Sequence, residues 1–504
     1  MKRIVNSEEM KFCDSNTIEH FGVPSIVLME RAALCVVAET IKRIPAAGRV
    51  LIVCGGGNNG ADGLAAARLL YERGYSVAVV QTADNGRRTK ENLLQRDILK
   101  NYGINITEQI PQQQTFDCVI DALLGVGMNG APRDIYKRLI RQMNAIRAFR
   151  VAVDMPSGVS ADDGKAYDPS FDAHLTVTFA YRKAGQLLYP GREKCGTVVT
   201  AAIGITDESW LERRPSCFAP EPEDLNRIPK RPPRSNKGTF GRILVIAGST
   251  NMAGAALFCA QAAYMAGCGL VRLFTPESNR VILQSALPEA ILTTYDETQK
   301  KVPLQELLAE AITWADVIAL GPGLGRSDDA CRIVEQVLLT ARGPVVADAD
   351  ALNILAGKQE LFKKTAATLI VTPHLGEMSG LCGKSVPDIQ GSLRSTAEQF
   401  AAQHRVICVL KDAVTITAGP SGVRLNTSGC SAMAKGGSGD VLTGIIAALT
   451  AQGMEPETAA YIGVYVHGLA GEVTAEQIGS YSVLARDLLQ AVGTIFHKLA
   501  EESK

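Results

Sequence analysis

No segment of this 504-residue sequence contains a run of about 18 apolar residues, so none is predicted to cross a membrane. The first residues, MKRIVNSEEMKF, also lack the apolar stretch of a signal peptide. Neither sign of charge is in excess, because 52 basic residues balance 52 acidic ones. This balance argues against a nucleic-acid-binding surface and against a polybasic membrane anchor. We therefore expect a small, nearly neutral partner, and neither nucleic acid nor a membrane.

The twelve cysteines include no C-x-x-C pair and no combination with histidine at the spacing of a zinc site. Several of them, such as Cys54, Cys118 and Cys408, lie inside apolar strand-like runs. Cysteines in such runs are typical of reduced core residues in a cytosolic protein. The sequence therefore predicts reduced cysteines and a cytoplasmic location.

The length of the chain exceeds what one hydrophobic core normally serves, which predicts at least two domains. The segment from about residue 207 to 236 is rich in proline and charge and has no hydrophobic periodicity. We place the domain boundary in this segment and predict a linker with little to pack, between one domain over 1–215 and another over 225–504. In both domains short buried strands alternate with helices, a pattern that predicts the α/β class.

The first domain begins with a helical pattern to about residue 48, whose apolar face contains Met29, Ala32, Ala33, Val36 and Val37. Strand-like runs separated by helical segments follow, from RVLIVCGGG to HLTVTFAY. Repeated short buried strands of this kind indicate a parallel sheet that is covered on both faces.

A glycine-rich turn after the first of these strands has to be compared with a dinucleotide-binding site. Gly55, Gly57 and Gly60 satisfy G-x-G-x-x-G between a strand and a helix. In a Rossmann site, however, an acid that binds the ribose closes the second strand, and here that strand ends in Val79-Val80-Gln81. A dehydrogenase is therefore the interpretation of this turn that we favour least.

Three strands of the first domain have oxygen-bearing side chains at their ends. These side chains are Asn59, Asp121, Asp154 and Ser157. Because the carboxyl ends of parallel strands form one crevice, these side chains can converge although they are far apart in sequence. Amide, carboxylate and hydroxyl oxygens suit a hard cation. The alternative is that each residue simply forms a turn, which is a common role of Asn, Asp and Ser.

The second domain contains another glycine-rich stretch, AKGGSGDVLTGIIAAL, over residues 434–449. Asp440 and an apolar run are preceded by four small residues, Gly436, Gly437, Ser438 and Gly439. This pattern predicts a tight loop that leads into a buried helix. The N-terminus of such a helix offers free N–H groups to an anion. Asp440 would repel the anion unless it has its own task, such as accepting a proton from a hydroxyl that attacks a phosphoryl group. The alternative is an aspartate that only caps its helix.

The sequence contains GGGNNGADG, DALLGVGMNG and AVDMPSG in its first half, and NKGTFGRILVIAGS, GPGLG, DADALN, TPHLGEM, VLKDAVTI and AKGGSGDVLTGII in its second. With these motifs, in this order, nearly the whole chain closely resembles the bifunctional NAD(P)H-hydrate repair enzymes. The resemblance implies an N-terminal Rossmann-like domain that epimerises the R and S hydrates of NADH and NADPH. It also implies a C-terminal ribokinase-like α/β domain that dehydrates the S hydrate with ADP or ATP.

Matched position by position, the resemblance implies functional residues in the first domain. The potassium ligands would be Asn59, Asp121 and Ser157. Tyr136 and Asp154 would contact the hydrate, and Asp154 would be catalytic. Two loops would line the rest of the substrate, one with Asn58, Asn59, Gly60, Ala61 and Asp62, and the other with Gly125, Val126, Gly127, Met128, Asn129, Gly130 and Ala131.

In the second domain the resemblance implies that the hydrate contacts Ala253, Gly323, His374 and Asp440. The nucleotide, accompanied by Mg²⁺, would contact Lys411, Asp412, Ala413, Val414, Thr415, Gly436, Gly437, Ser438 and Gly439. The chain departs from the family pattern at Asn236, where we expect histidine, and at Asp412, where we expect glycine.

The implied chemistry explains an aspartate beside an anion site. A hydroxyl on a saturated ring carbon is a poor leaving group, and phosphoryl transfer converts it into a good one, after which elimination restores the dihydropyridine. Asp440 would be catalytic by taking the hydroxyl proton, while the N–H groups of residues 436–439 would stabilise the transferring phosphate. Two alternatives remain. One is a ribokinase-like small-molecule kinase fused to a nucleotide-binding Rossmann-like domain, and the other is a catalytically silent nucleotide sensor, against which Asp440 argues.

Three histidines of the sequence could have a functional role. His467 and His174 are predicted to be satisfied packing residues, which leaves His374 as the only histidine that we expect to be functional. For the assembly as a whole we expect a homo-oligomer.

Overall fold

The structure, a computed structural model, describes residues 1–82, 87–112, 115–128, 130–296 and 303–502. It divides into two compact units. Arg3–Cys217 form the N-terminal domain, and Phe218–Lys504 form the C-terminal domain together with Met1 and Lys2. Both domains are α/β, as the sequence predicts.

The N-terminal domain contains nine strands and six α-helices within the described residues. The strands are β1 (Lys2–Val5), β2 (Arg49–Cys54), β3 (Ser76–Gln81), β4 (Ile106–Thr107), β5 (Cys118–Ala122), β6 (Phe149–Val153), β7 (Leu175–Phe179), β8 (Arg182–Lys183) and β9 (Thr197–Ala201). The helices are α1 (Ser7–Glu19), α2 (Ser25–Ile41), α3 (Asn58–Glu72), α4 (Lys90–Asn101), α5 (Asp134–Ala145) and α6 (Gly191–Cys195).

Seven of these strands form a parallel sheet in the order β4-β3-β2-β5-β6-β7-β9. The chain first adds β3 and β4 on one side of β2 and then continues with β5 on the other side. This reversal opens a crevice beyond the carboxyl ends of β2 and β5, which is where open α/β sheets bind ligands.

The composition of the strands explains why the sheet is parallel and buried. All residues of β2 from Val50 to Cys54 are buried, so that this strand has no polar face. The helix α2 buries one stripe, and the five apolar residues that the sequence predicts for it are all buried. Helical and strand periodicity thus assign α2 and β2 correctly, but the stretch predicted to be helical to about residue 48 begins with the strand β1.

The C-terminal domain begins within β10 (Cys217–Ala219) and continues with β11 (Arg242–Ile246), β12 (Leu270–Pro276), β13 (Ile291–Tyr295), β14 (Val317–Leu320), β15 (Val345–Ala347), β16 (Leu369–Val371), β17 (Ile407–Leu410), β18 (Ile416–Gly419) and β19 (Gly422–Leu425). Its helices are α7 (Ala253–Met265), α8 (Arg280–Ala286), α9 (Leu304–Trp314), α10 (Asp328–Thr340), α11 (Asp350–Ala356), α12 (Leu361–Lys364), α13 (Leu375–Cys382), α14 (Val386–Gln390), α15 (Leu393–His404), α16 (Ser438–Ala451), α17 (Pro456–Ile478) and α18 (Ala485–Glu502).

The sheet of this domain runs β13-β12-β11-β14-β15-β16-β17 with all strands parallel. The antiparallel strands β18 and β19 extend it beyond β17. Strand order reverses between β11 and β14, so a second crevice lies beyond the carboxyl ends of these two strands. The helix α16 is buried from Val441 to Thr450, which is expected of a helix that is apolar on every side.

The segment between the domains is more structured than the sequence predicts. Short 3₁₀ helices, Asp207–Trp210 and Pro222–Arg227, lie on either side of β10. Trp210 and Leu225 are buried, so the prediction that this linker has little to pack is wrong. A segment without periodicity can still contribute single side chains to a core, and a search for periodicity does not detect them.

We predict that residues 3–217 and 218–504 each fold when they are produced separately, because each contains its own apolar core. A shorter fragment, 229–504, lacks the buried Leu225 and should melt at a lower temperature than 218–504. Burying one leucine side chain stabilises a fold by about 1.5–3 kcal/mol. Thermal unfolding followed by circular dichroism measures all three fragments. Absence of a cooperative transition in 3–217 or 218–504 would contradict the division.

Candidate active sites

The glycine-rich turn between β2 and α3 packs tightly against its surroundings. A Cβ atom on Gly55 would lie 2.1 Å from the carbonyl oxygen of Leu123, and one on Gly60 would lie 2.0 Å from the carbonyl oxygen of Gly55. Asn92 donates through Nδ2 to the carbonyl oxygens of Gly55 and Gly57, at 3.1 Å each. These glycines are therefore required by close packing of the turn, whatever ligand it meets.

Asp121, near the end of β5, is fully buried. Its Oδ1 accepts hydrogen bonds from the Ser157 hydroxyl at 2.7 Å and from the Leu123 N–H at 3.1 Å, and its Oδ2 accepts one from the Ser157 N–H at 2.7 Å. Burial raises the pKa of Asp121 to about 6, although these hydrogen bonds oppose the increase. No lysine or arginine of the described residues forms an ion pair with it. The carboxylate of Asp121 therefore has no counter-ion from the protein, and a bound cation could supply the missing positive charge.

Asn59 lies in the first turn of α3, next to the chain that follows β5. A Cβ atom on Gly125 would lie 3.1 Å from the Cβ atom of Asn59 and 3.3 Å from its Oδ1. The Nδ2 atom of Asn59 is buried and has no hydrogen-bond partner in the described part of the chain. This unsatisfied N–H donor cannot bind a cation, so only Oδ1 of Asn59 could join the Asp121 carboxylate and the Ser157 hydroxyl as an oxygen ligand.

Asp154 follows β6 with φ at 64°, a left-handed conformation that is unfavourable for a residue with a Cβ atom. Its Oδ1 accepts hydrogen bonds from the Thr178 hydroxyl at 2.9 Å, from the Phe179 N–H at 3.2 Å and from the Lys183 ammonium. Lys183 is fully buried, which lowers its pKa, while the charge of Asp154 has the opposite effect. No hydrogen bond of the described residues uses Oδ2 of Asp154, so this oxygen remains available to a substrate.

The charge of Asp154 acts on two more carboxylates. Burial raises the pKa of Asp62, on α3, well above its ordinary value, and the charges of Asp154 and Asp14 increase it further. The pKa of Asp14, on α1, is also raised, first by burial and then by Asp154. Asp154 thus has the ammonium of Lys183 as a counter-ion, whereas burial and the neighbouring carboxylates raise the pKa of Asp62.

The other predicted substrate residues of this domain differ in exposure. Gly127, Gly130 and Ala131 are exposed in the loop after β5, and Asn129 lies outside the described residues. Tyr136 is only 8 % exposed and packs in an apolar cluster, which raises its pKa. In the other loop Asn58 is exposed, whereas Gly60 and Ala61 are buried, and Val126, Met128 and Asp62 are half-buried.

In the C-terminal domain, the loops after β11 and β14 meet where the strand order reverses. Gly323 has φ at 58°, and a Cβ atom there would lie 2.8 Å from that of Ala255 and 3.0 Å from that of Met252. Because α7 begins at Ala253, the two predicted hydrate contacts Ala253 and Gly323 are neighbours in the structure.

The helix α16 begins at Ser438, and Gly437 with φ at 90° is its N-cap residue. Asp440 is thus the third residue of the helix, and no side chain caps this N-terminus, so the capping interpretation of Asp440 is wrong. Within the described residues, the N–H groups of Gly439 and Asp440 have no partner and are free for an anion. Gly436 is exposed at the start of the loop.

Burial raises the pKa of Asp440 to about 7, the carboxylate of Asp348 raises it further, and the ammonium of Lys411 opposes the increase. Lys411 follows β17, and its Nζ donates to Oδ1 of Asp348 at 2.7 Å. The hydroxyl of Thr443, on α16, donates to Oδ2 of Asp348 at 2.9 Å. Asp440 therefore titrates near neutral pH, where a carboxylate is an effective general base.

His374 is the N-cap residue of α13. Its Nδ1 accepts hydrogen bonds from the N–H groups of Gly376 at 2.9 Å and Glu377 at 3.2 Å, so the neutral ring carries its proton on Nε2. The N–H of Lys411 donates to the carbonyl oxygen of Pro373 at 2.8 Å, which brings Lys411 beside His374. His374 is 60 % exposed and thus accessible to a ligand while it caps the helix.

The predicted nucleotide residues after Lys411 form the turn between β17 and β18. Ala413 is exposed, Asp412 and Thr415 are half-buried, and Val414 is buried, so Val414 can offer a ligand only its backbone. The unusual Asn236 caps a short 3₁₀ helix, Lys237–Phe240, by accepting a hydrogen bond from the Gly238 N–H at 2.9 Å.

The two predicted packing histidines have different environments. His467 is buried, and its Nε2 lies 3.2 Å from the hydroxyl of Ser438 in the nucleotide loop. Burial lowers the pKa of His467 to about 4, and Lys411 lowers it further, so the ring stays neutral. His174 is exposed, and its Nδ1 accepts a hydrogen bond from the Arg150 N–H at 3.0 Å, so it is satisfied but does not pack in a core.

The described residues contain no group of three or more His, Cys, Asp or Glu side chains that could hold a metal ion. In the same part of the chain, no helix is both long and apolar enough to cross a membrane.

Two family models match most of the chain. The model described as NAD(P)H-hydrate dehydratase matches residues 243–493, and the model described as YjeF-related protein N-terminus matches residues 25–185. A bifunctional NAD(P)H-hydrate repair enzyme from Moorella thermoacetica is 37 % identical, over 99 % of this chain and 97 % of its own length. The chain belongs to this family. A second relative with the same name, from Escherichia coli K12, is 34 % identical over 97 % of this chain and 93 % of its own.

A solved structure supports the same assignment for the C-terminal domain of this repair-enzyme family member. A ribokinase-like superfamily protein from Enterococcus faecalis V583 is 30 % identical, with a TM-score of 0.51, and the match covers 57 % of this chain and 97 % of that chain. The ribokinase-like fold of the C-terminal domain and the family resemblance seen in the sequence are both confirmed.

Two charged residues of these sites, Asp348 and Lys183, are not among those predicted from the sequence. Asp348 follows β15 in the DADALN motif, so the rule that selected Asp121 and Asp154 at strand ends would also have selected it. Lys183 had a weaker signal, because a lysine that follows a strand is more often solvated. Its burial against Asp154 is visible only in the folded chain.

We predict that Lys183→Met lowers the free energy of unfolding of the N-terminal domain by about 3–5 kcal/mol, because it leaves the carboxylate of Asp154 buried without its counter-ion. The double variant Lys183→Met/Asp154→Asn should regain part of this loss. Lys137→Met is the matched control, since Lys137 pairs with an exposed Asp134, and it should change stability little. Urea unfolding of residues 3–217 measures all three. Equal stability of Lys183→Met and Lys137→Met would contradict the buried pair.

Proposed function

We propose that this protein repairs hydrated NADH and NADPH in two steps. The N-terminal domain interconverts the R and S hydrates, and the C-terminal domain dehydrates the S hydrate with ADP or ATP as phosphoryl donor. The observation that carries the proposal is Asp440, a carboxylate with a pKa near 7 that lies in the first turn of α16 beside free N–H groups.

The dehydration uses residues around this first turn. The carboxylate of Asp440 takes the proton of the ring hydroxyl, whose oxygen forms a bond to the terminal phosphorus of the nucleotide as the bond to the bridging oxygen breaks. The N–H groups of Gly439 and Asp440 and the ammonium of Lys411 stabilise the negative charge of the transferring phosphoryl group. Inorganic phosphate then leaves together with a proton from the adjacent ring carbon, which restores the double bond.

In this scheme Ala253, Gly323 and His374 bind the hydrate. Ala253 and Gly323 form the small-residue surface beneath the ring, and the Nε2 proton of His374 is a hydrogen-bond donor. Residues 411–415 and 436–439 bind the nucleotide, mainly through backbone groups, since Val414 is buried and four of the others are glycine or alanine. Magnesium carried by the nucleotide would reduce the charge of its phosphates.

Epimerisation requires that the carbon–oxygen bond breaks and re-forms from the opposite face of the ring. The free Oδ2 of Asp154 takes a proton from the incoming water, and Asp62, whose pKa is raised by burial, supplies one to the leaving hydroxyl. The loops 58–62 and 125–131 hold the ring between these groups, and Tyr136 supports the second loop from the core. Potassium at Asn59, Asp121 and Ser157 would supply the counter-charge that the buried Asp121 lacks and so tie the two loops together.

The test is to mix purified protein with R and S NADPH hydrates and ADP or ATP. We expect the dihydronicotinamide absorbance to return fully, with one phosphate released per molecule restored. Without nucleotide, we expect only interconversion of the R and S hydrates. A stable phosphorylated product would identify the protein as a ribokinase-like small-molecule kinase, which its fold also permits.

We predict that Asp121→Ala abolishes the potassium dependence of epimerisation and lowers its rate, because Asp121 supplies the only formal charge among the three side chains. The measurement is the rate of R to S interconversion against potassium concentration. Asp117→Ala is the matched control, since Asp117 lies just before the same strand at its opposite end and accepts a hydrogen bond from the Arg49 N–H. An Asp121→Ala variant that retains normal ion affinity and epimerisation would refute the assignment.

We predict that Asp440→Asn lowers the dehydration rate by roughly 10² to 10⁴-fold, because asparagine has nearly the same shape but cannot accept the hydroxyl proton. Nucleotide affinity should persist or increase, since a negative charge near the phosphates is removed. Epimerisation should not change, because its residues belong to the other domain. Turnover and nucleotide affinity are measured on the same folded variant, and near-normal turnover would exclude Asp440 as the base.

Two further proposals concern the cellular location of the protein and its oligomeric state. The reduced-cysteine pattern is consistent with a cytoplasmic location, because all twelve cysteines are free and eight of them, such as Cys54 and Cys118, are buried. A homo-oligomer remains our expectation for the assembly, and light scattering of the purified chain decides it.

A further inference from the structure

Asp348 is a buried carboxylate that none of the predicted substrate or nucleotide contacts includes. It directly follows β15 and is only 1 % exposed. Its Oδ1 accepts a hydrogen bond from Nζ of Lys411 at 2.7 Å, and its Oδ2 accepts one from the hydroxyl of Thr443 at 2.9 Å. Because each oxygen already has a protein donor, Asp348 does not depend on a ligand to satisfy it.

These two hydrogen bonds connect three parts of the site. Lys411 begins the predicted nucleotide turn after β17, and Thr443 lies on α16 three residues after Asp440. Gly439 packs over the pair, since a Cβ atom there would lie 3.3 Å from Nζ of Lys411 and 3.5 Å from Oδ2 of Asp348. The backbone that bears the free N–H groups is therefore held directly against the Lys411–Asp348 ion pair.

We propose that Asp348 is a positioning residue for dehydration, which holds the Lys411 ammonium against the first turn of α16 and sets the charge around Asp440. This proposal rests on the dehydratase function proposed above. Asp348 acts through Lys411, Thr443 and Asp440, and its own oxygens make no contact with the reacting atoms.

The charges around Asp440 support this assignment. Four charged side chains influence it, Asp348, Lys411, Asp350 and Glu377, and Asp348 has the largest effect among them. Asp348 also raises the pKa of Lys411, whereas the effect of burial on this ammonium is opposite to its effect on Asp440. Burial lowers the pKa of Lys411, but Asp348 and Glu377 outweigh burial and raise it, which keeps the ammonium charged. One carboxylate thus keeps Lys411 protonated and keeps Asp440 basic enough to accept a proton.

A purely structural role is the competing explanation, because a buried carboxylate with two donors also stabilises the fold. The two explanations differ in what they predict for pH dependence. Loss of a structural contact lowers stability and activity at every pH. Loss of the charge of Asp348 lowers the pKa of both Asp440 and Lys411, so both limbs of the pH profile must move in the same direction.

The experiment compares Asp348→Asn with the natural full-length chain in dehydration of S NADPH hydrate. We expect the acid and basic limbs of the kcat profile to move to lower pH by about one unit, which is the usual effect of a neighbouring charge. Turnover at the optimum should fall about 10- to 100-fold, because the ammonium is no longer held in place. Nucleotide affinity should persist, as Lys411 and the N–H groups remain.

Two further variants separate charge from contact. Thr443→Val removes the second hydrogen bond but no charge, so its limbs should stay in place. Asp348→Glu retains the charge but displaces it by one methylene group, so turnover should fall while the limbs stay in place. If Asp348→Asn does not fold, the turnover of Asp348→Glu still tests whether the position of this carboxylate matters. Unmoved limbs in folded Asp348→Asn, or natural turnover in Asp348→Glu, would overturn the proposal.

Failure of this inference is distinguishable from failure of the proposed function. If the natural chain does not restore NADPH from the S hydrate with ADP or ATP, the dehydratase function is wrong. If it does, and the variants behave as a structural contact would, only the role of Asp348 is wrong.

Discussion

A buried carboxylate is stable only where donors or a counter-ion satisfy it, and both domains place such carboxylates at the carboxyl ends of parallel strands. Asp121 lies near the end of β5, Asp154 follows the neighbouring strand β6, and Asp348 follows β15 of the C-terminal sheet. Each is satisfied in a different way, by Ser157, by Lys183 and by Lys411. The arrangement of the sites follows from how these charges are compensated.

The three solutions have different chemical consequences. Hydrogen bonds alone leave Asp121 without a counter-charge, which suits a bound cation. The ammonium of Lys183 occupies one oxygen of Asp154 and leaves the other available. In the C-terminal domain the ammonium of Lys411 acts on several carboxylates. It lies close to Asp348, whereas the pKa of Asp440 stays near 7. The same physical cost of burying a charge is thus met by hydrogen bonds alone at Asp121, by one ammonium at Asp154 and by a shared ammonium in the C-terminal domain.

Small residues allow the backbone to approach these charges. Gly55 and Gly60 bring the first turn of α3 against the chain after β5, and Gly439 brings the first turn of α16 against Lys411 and Asp348. In the N-terminal domain the start of α3 lies at the reversal of strand order, and in the C-terminal domain the start of α16 lies beside Asp348 and Lys411, which follow β15 and β17. This proximity explains why the motifs are rich in glycine without being ordinary dinucleotide fingerprints, since their glycines are required by packing within the protein.

The sequence by itself determined the α/β class, the two domains, the family and the motif residues, because hydrophobic periodicity and short glycine-rich motifs are local properties of the chain. It also selected Asp121, Asp154 and Asp440, since strand ends and helix starts can be recognised locally. Only the tertiary structure decided the partners of these charges. Lys183 is 29 residues from Asp154, and Asp348 is 63 residues from Lys411 and 95 from Thr443. Burial, counter-ions and pKa depend on which strands become neighbours, and no local pattern contains that information.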